Sequence, residues 1–134
     1  MYLLDTMVLS ELRRRDRHPG VVAWLTNVAA DDLFLSAVTI GEIERGIGLQ
    51  RGRDPAFADI LEVWLERTVS LYADRILPMD TRIARRWGSL SARLGNSGAD
   101  LIIAATALEH GLAVVTRNVR HFEPCGVTIV DPFR

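Results

Sequence analysis

A chain of 134 residues has room for one domain (residues 1–134) and a core large enough to need neither disulfides nor a structural metal. With 49% hydrophobic and 25% charged residues, no apolar run near the ~20 needed to span a bilayer, and Asp5 interrupting any secretory leader, it reads as a globular cytoplasmic protein. The net charge of −1 advertises no polyanion, and the single Cys125 makes neither an internal bridge nor a zinc site; yet all 16 cations are Arg and none is Lys, so every cationic contact is a planar fork suited to phosphate or carboxylate.

Tyr2-Leu3-Leu4 reads as a buried strand ending in the carboxylate of Asp5, with Thr6 placed to cap the helix that follows. Asp is common in turns and caps, but at the carboxyl end of a strand in an open α/β sheet it also faces the crevice where ligands sit. Val8 to Leu12 continues as a short helix into Arg13-Arg14-Arg15-Asp16-Arg17, the pattern of a solvated face. After Pro19-Gly20, a helix over 21–28 places Val21, Trp24, Leu25 and Val28 on one side. Leu33-Phe34-Leu35 is a second strand, and Ser36 or Thr39 caps the helix carrying Gly41-Glu42-Ile43-Glu44-Arg45-Gly46.

Gly52-Arg53-Asp54-Pro55 ends that helix and starts the next, with Asp54 as cap and Pro55 at the first helical position. The new helix runs to about Leu71 with an apolar stripe of Phe57, Ile60, Leu61, Trp64 and Leu65. Ile76 to Met79 is a short strand, and Asp80 caps a helix carrying Ile83, Ala84, Trp87, Leu90 and Leu94. Beyond the loop 95–98, Ala99 to His110 is a helix closed by Gly111. Strands over 112–115 and 127–130 finish the chain. Strands separated by helices imply βαβ units, and hence an α/β domain with a central parallel sheet.

Four places carry polar groups on otherwise apolar elements: Asp5, the Glu42/Glu44 pair, Asp100 and Thr116-Arg117-Asn118. Helical periodicity does not choose between Glu42 and Glu44. Asp100 opens a helix that is apolar all round, where an acid in the first turn is also favoured by the helix dipole. Asn118 follows a strand, as turn residues do. Carboxylates brought together repel one another unless protons or cations join them, and oxygen donors without paired His or Cys suit Mg²⁺ or Mn²⁺. Metal-assisted phosphodiester hydrolysis is the chemistry this set allows.

Taken in order, Leu3-Leu4-Asp5-Thr6, Gly41-Glu42, the run from Ala99 to Ala107 and Val115-Thr116-Arg117-Asn118 resemble the PIN-domain ribonucleases, and most closely the VapC-type toxins of bacterial toxin–antitoxin pairs. The resemblance covers essentially the whole chain, including Val130-Asp131-Pro132-Phe133. It implies helices on both faces of the sheet, Asp5, Glu42 and Asp100 gathered round Mg²⁺ or Mn²⁺, and Asn118 as a fourth catalytic position. Thr6, Thr116 and Arg117 become candidates for contacting substrate. It further implies endonucleolytic cleavage of RNA, a small antitoxin that fills the active-site groove, and a tendency to dimerise.

Two departures stand out. Met7 replaces the Asn usual after the Asp-Thr pair, and His121 stands where many relatives carry an acid; His121 reads as a surface or loop residue rather than a ligand. Other strand-end Asp enzymes fit poorly: a receiver-type phosphoacceptor depends on Lys, and a haloacid-dehalogenase-type phosphatase needs an Asp where Met7 stands. The competing reading is a PIN-like domain kept as a non-catalytic RNA- or protein-binding module.

Overall fold

The computed structural model describes all 134 residues. The chain runs β1 (Tyr2–Leu4), α1 (Thr6–Arg13), α2 (Pro19–Thr26), β2 (Leu33–Ser36), α3 (Ala37–Arg51), α4 (Pro55–Leu71), β3 (Ile76–Leu77), α5 (Thr81–Leu94), α6 (Ala99–His110), β4 (Ala113–Val115), α7 (Val119–Phe122) and β5 (Ile129–Val130). The five strands form one sheet in the order β3-β2-β1-β4-β5. Every pairing is parallel. The order reverses direction between β1 and β4, the switch point at which open α/β sheets leave a crevice beyond their carboxyl ends.

Alternation along β1 sorts its side chains onto two faces. Leu3 packs with Ile83, Ile103, Val114 and Phe122 on one side. Leu4 joins Val8, Leu35, Tyr72 and Val115 on the other. Each such side chain taken from water contributes about 1.5–3 kcal/mol, so a polar substitution at either position would remove the support of one layer. The apolar α6 buries Leu101, Ile103, Ala104, Ala105 and Ala107, and so fixes the placement of Asp100 in its first turn.

The expected caps form at three helices. Ser36, not Thr39, accepts from the Val38 amide at 3.2 Å; Asp54 accepts from Phe57 at 3.1 Å, and Asp80 from Ile83 at 2.9 Å. Gly111 closes α6 at φ 66°, where a Cβ would be strained. Thr6 does not cap α1: Asp5 occupies that position without a side-chain bond, and Thr6 is the first helical residue.

Elsewhere the elements shift from their expected bounds. α2 begins at Pro19 and ends at Thr26, and β3 and β5 are each two residues long. α7 has no counterpart among the expected elements. On α4 the buried positions are Ala58, Leu65 and Thr68, whereas Ile60 is 61% exposed. The cause is packing: α4 rests on α3 around Ile47, so only a narrow stripe of its surface is covered. No helix is long and apolar enough to cross a membrane.

Candidate active site

The register of the central strands creates the site. Leu4 pairs with Val115, so Asp5 and Thr116 leave the sheet side by side. The Asp5 amide donates to Val115 at 3.0 Å, and its carbonyl accepts the first α1 bond, from Leu9 at 3.1 Å. Strand and helix thus hold the backbone of one residue from both sides, and Asp5 is 4% exposed. Asp5 Oδ2 accepts from Thr116 Oγ1 at 2.8 Å, a bond buried at both ends. The same Thr116 oxygen accepts from the Asn118 amide at 2.9 Å.

Glu42 reaches the site from α3. Thr6 Oγ1 donates to its Oε1 at 2.6 Å. The buried Thr39 hydroxyl lies 3.1 Å from that of Thr6. Thr6 has one proton and Glu42 takes it, so Thr39 is the donor in that pair. Asp100 reaches the site from α6, where its Oδ2 meets Nδ1 of His121 at 2.7 Å. With Asp100 ionised, this contact places the imidazole proton on Nδ1 and leaves Nε2 free.

The Asp5 carboxyl is held above its ordinary value. Burial is the largest cause; the Thr116 hydroxyl opposes it, the Asp100 charge adds to it, the Thr6 backbone opposes it, and Glu42 adds to it. Three acids from three elements therefore share one electrostatic environment. They do not converge on a point: no three His, Cys, Asp or Glu side chains are placed to share an ion. Glu42 is turned to Thr6, and Asp100 to His121. The donor chemistry still suits a hard divalent cation, being all carboxylate oxygen around a buried acid whose ionised form is repelled by its neighbours.

A cleft of about 560 Å³ opens over this edge, lined by Glu42, Asn96, Asp100, Arg120 and His121 among others. Asp5 is buried and not among the lining residues, but it feels the charges of Asp100 and Glu42, which are. Of the residues singled out from the sequence, Glu42 rather than Glu44 faces the cleft. Thr6 and Thr116 point their hydroxyls at Glu42 and Asp5, which suits them to positioning the acids rather than touching substrate. Arg117 is not among the cleft residues; its guanidinium lies 4.2 Å over the Phe133 ring. Asn118 occupies the cap position of α7, and its carboxamide makes no cap bond.

His121, Arg120 and Thr39 were not legible as members of the site. His121 and Arg120 ride on the unexpected α7, and only its docking beside α6 brings them to Asp100. Thr39 was visible only as a possible helix cap.

An all-parallel sheet in this order, with acids gathered at its switch point, defines a class, and the comparisons agree: a family model described as PIN domain matches residues 2–125. The chain belongs to the PIN-domain family. It is 35% identical to VapC ribonuclease Y4jK of Sinorhizobium fredii, across 99% of this chain and 98% of that protein. The crystal structure of FitAcB from Neisseria gonorrhoeae superposes with a TM-score of 0.86 at 35% identity, covering 100% of this chain and 99% of that one. A toxin–antitoxin complex from Klebsiella pneumoniae gives a TM-score of 0.72 at 25% identity, covering 100% and 99%.

Proposed function

We propose that the protein is an endoribonuclease dependent on Mg²⁺ or Mn²⁺, and that it acts as the toxin of a toxin–antitoxin pair. The observation that carries this reading is the placement of Asp5, Glu42 and Asp100 at one sheet edge, where the charges of Asp100 and Glu42 add to the burial that holds the Asp5 carboxyl above its ordinary value. A ribonuclease relative matched over nearly the full length supports the reaction class. A toxin–antitoxin complex of the same fold supports the partner.

Asp5, Glu42 and Asp100 would hold the ion. Thr6 engages only Oε1 of Glu42 and His121 only Oδ2 of Asp100, which leaves the other oxygen of each carboxylate for an ion. The chemistry supplied by such a cation is activation of water and stabilisation of charge on the phosphoryl transition state.

The chain's own residues then have distinct tasks. Thr116 fixes the Asp5 carboxylate and favours its ionised form against the burial that opposes it. Thr39 and Thr6 relay a proton-donor chain to Glu42, which fixes which oxygen faces the cleft. These hydroxyls supply the orienting contacts expected near metal ligands, at an edge where Met7 offers none. Asn118 offers an unengaged carboxamide beside them. His121, anchored through Nδ1 to Asp100, lines the cleft beside Arg120.

The test in cells is induction of the chain with and without its co-encoded antitoxin. Expression alone should arrest growth, and both the antitoxin and Asp5→Asn should relieve the arrest. Growth unaffected by the intact chain, or arrest that persists with Asp5→Asn, would contradict the proposal.

A further inference from the structure

We propose that the arginine face of α5 is a track for the phosphate backbone of single-stranded RNA, leading from the far end of the helix into the acidic cleft. This rests on the ribonuclease reading above and names where the substrate outside the cleft is held.

The charge on α5 is one-sided. Its 14 residues include Arg82, Arg85, Arg86 and Arg93 and no acid, in a chain whose net charge is −1. Positions 82, 85, 86, 89 and 93 recur at helical spacing, so they share one face. Thr81, Arg82, Arg85, Arg86, Ser89 and Glu109 line a hollow of about 400 Å³ that contains no hydrophobic residue.

Glu109, from the end of α6, organises this hollow without filling it. Its Oε2 accepts from Arg82 Nη2 at 3.0 Å and its Oε1 from Arg86 Nε at 3.1 Å. Each guanidinium spends part of its donor set on the acid and keeps the rest for a ligand. Arg85 makes no ion pair and is wholly available. One acid among three arginines leaves the hollow positive, and held forks in a polar recess match phosphate oxygens.

The strip leads toward the catalytic edge. α5 and α6 lie side by side in opposite directions: Arg82 and Arg86 meet Glu109 at the end of α6, while Leu94 and Asp100 line the same cleft. Arg93 donates to the Pro124 carbonyl at 3.4 Å, and Pro124 and Arg120 both line the cleft. From Arg82 to Arg93 is 11 residues, roughly 16 Å at about 1.5 Å per residue. A protein partner fits this face less well, because interface cores are apolar and depleted of charge.

The experiment measures binding of a long single-stranded RNA oligonucleotide by fluorescence anisotropy in chelator, across a range of salt concentrations. Arg85→Ala with Arg93→Ala should bind more weakly. It should also flatten the log–log salt dependence by about 1.4, since each lost phosphate contact on a single strand is worth about 0.7 in slope. Arg85→Ala alone should account for about half of that change. The paired Lys replacements should restore the slope, while Arg67→Ala on α4 should leave it untouched, and all variants should keep the wild-type melting temperature. With Mn²⁺ added, a dinucleotide too short to reach the strip should be cleaved equally by wild type and double variant, and the long RNA more slowly by the variant. Wild-type slope and affinity in the double variant would overturn the track. Loss of the co-expressed antitoxin with RNA binding intact would overturn it too, by giving the face to a protein. Failure of the wild-type protein itself to bind or cut any RNA would overturn the ribonuclease reading and the track with it.

Discussion

Thr116→Val isolates the bond that steadies the candidate catalytic acid. The replacement keeps the shape of the side chain and removes one oxygen, which donates to Asp5 at 2.8 Å and accepts from the Asn118 amide at 2.9 Å. Thr116 is fully buried and Asp5 is 4% exposed, so water does not readily replace either bond. A hydrogen bond to a charged group is worth about 1.5–3 kcal/mol and a neutral one about 1 kcal/mol, so the variant should lose about 3 kcal/mol at neutral pH. For a domain of this size that corresponds to a fall of about 10 °C in melting temperature. Urea unfolding of both proteins in chelator measures the difference, with an unchanged denaturant slope expected. In an Asp5→Asn background the same replacement should lose only about 2 kcal/mol, because Asn still accepts a neutral bond from Thr116 and only the charge-assisted excess has gone. The sign of the pH dependence follows from the Thr116 bond favouring the ionised carboxylate. Its contribution is present at neutral pH and fades as pH falls through the raised Asp5 pKa, so the gap between variant and wild type should narrow on acidification. A loss below about 0.5 kcal/mol, or an equal loss in the Asp5→Asn background, would refute the claim that Thr116 supports an ionised Asp5.

Three further outcomes are expected. Asp5 as a whole has a folded pKa above its unfolded one, so its ionisation weakens the fold as pH rises through that folded value. In chelator, Asp5→Asn should therefore melt above wild type at neutral pH, an advantage that disappears below about pH 4, where the unfolded Asp is also protonated. Saturating Mn²⁺ should stabilise wild type by about 2.7 kcal/mol at a hundred times its dissociation constant, well beyond the effect of Na⁺ at equal ionic strength and with a smaller gain in Asp5→Asn; equal shifts would remove Asp5 from the metal site. Glu42→Gln should reduce that Mn²⁺ shift far more than Glu44→Gln, because Glu42 faces the cleft and Glu44 does not; the reverse order would mean that the wrong acid has been assigned.

Local chemistry made much of the fold legible. Asp54-Pro55, Asp80 and Gly111 punctuate helices by satisfying or relaxing the backbone at their own positions, so their signals survive without knowledge of the tertiary structure. The end of β1 was readable for the same reason, as three apolar residues halted by an acid. Ile60 departs from its expected burial because helical periodicity reports which residues share a side but not how much of that side a neighbour covers. α7 is four residues long, too short to impose any period, and it alone carries His121 to Asp100 across 21 positions of sequence. Thr6 and Thr116 illustrate the limit at the site itself. Their presence beside acids was visible, but whether a hydroxyl points at a carboxylate or at solvent depends on the parallel register of β1 with β4 and on the approach of α3.

The most direct test of the central claim is cleavage of single-stranded RNA by the purified, antitoxin-free protein, first in chelator and then with Mn²⁺ restored, beside Asp100→Asn under the same conditions. The Asp100 side chain is partly exposed and its substitution leaves the buried layers intact, so the variant should remain folded. Wild type should cut only with the ion present, and Asp100→Asn should lose that activity, since removing one anionic ligand withdraws several kcal/mol of transition-state stabilisation. Cleavage that persists in chelator, or a fully active Asp100→Asn, would contradict the account.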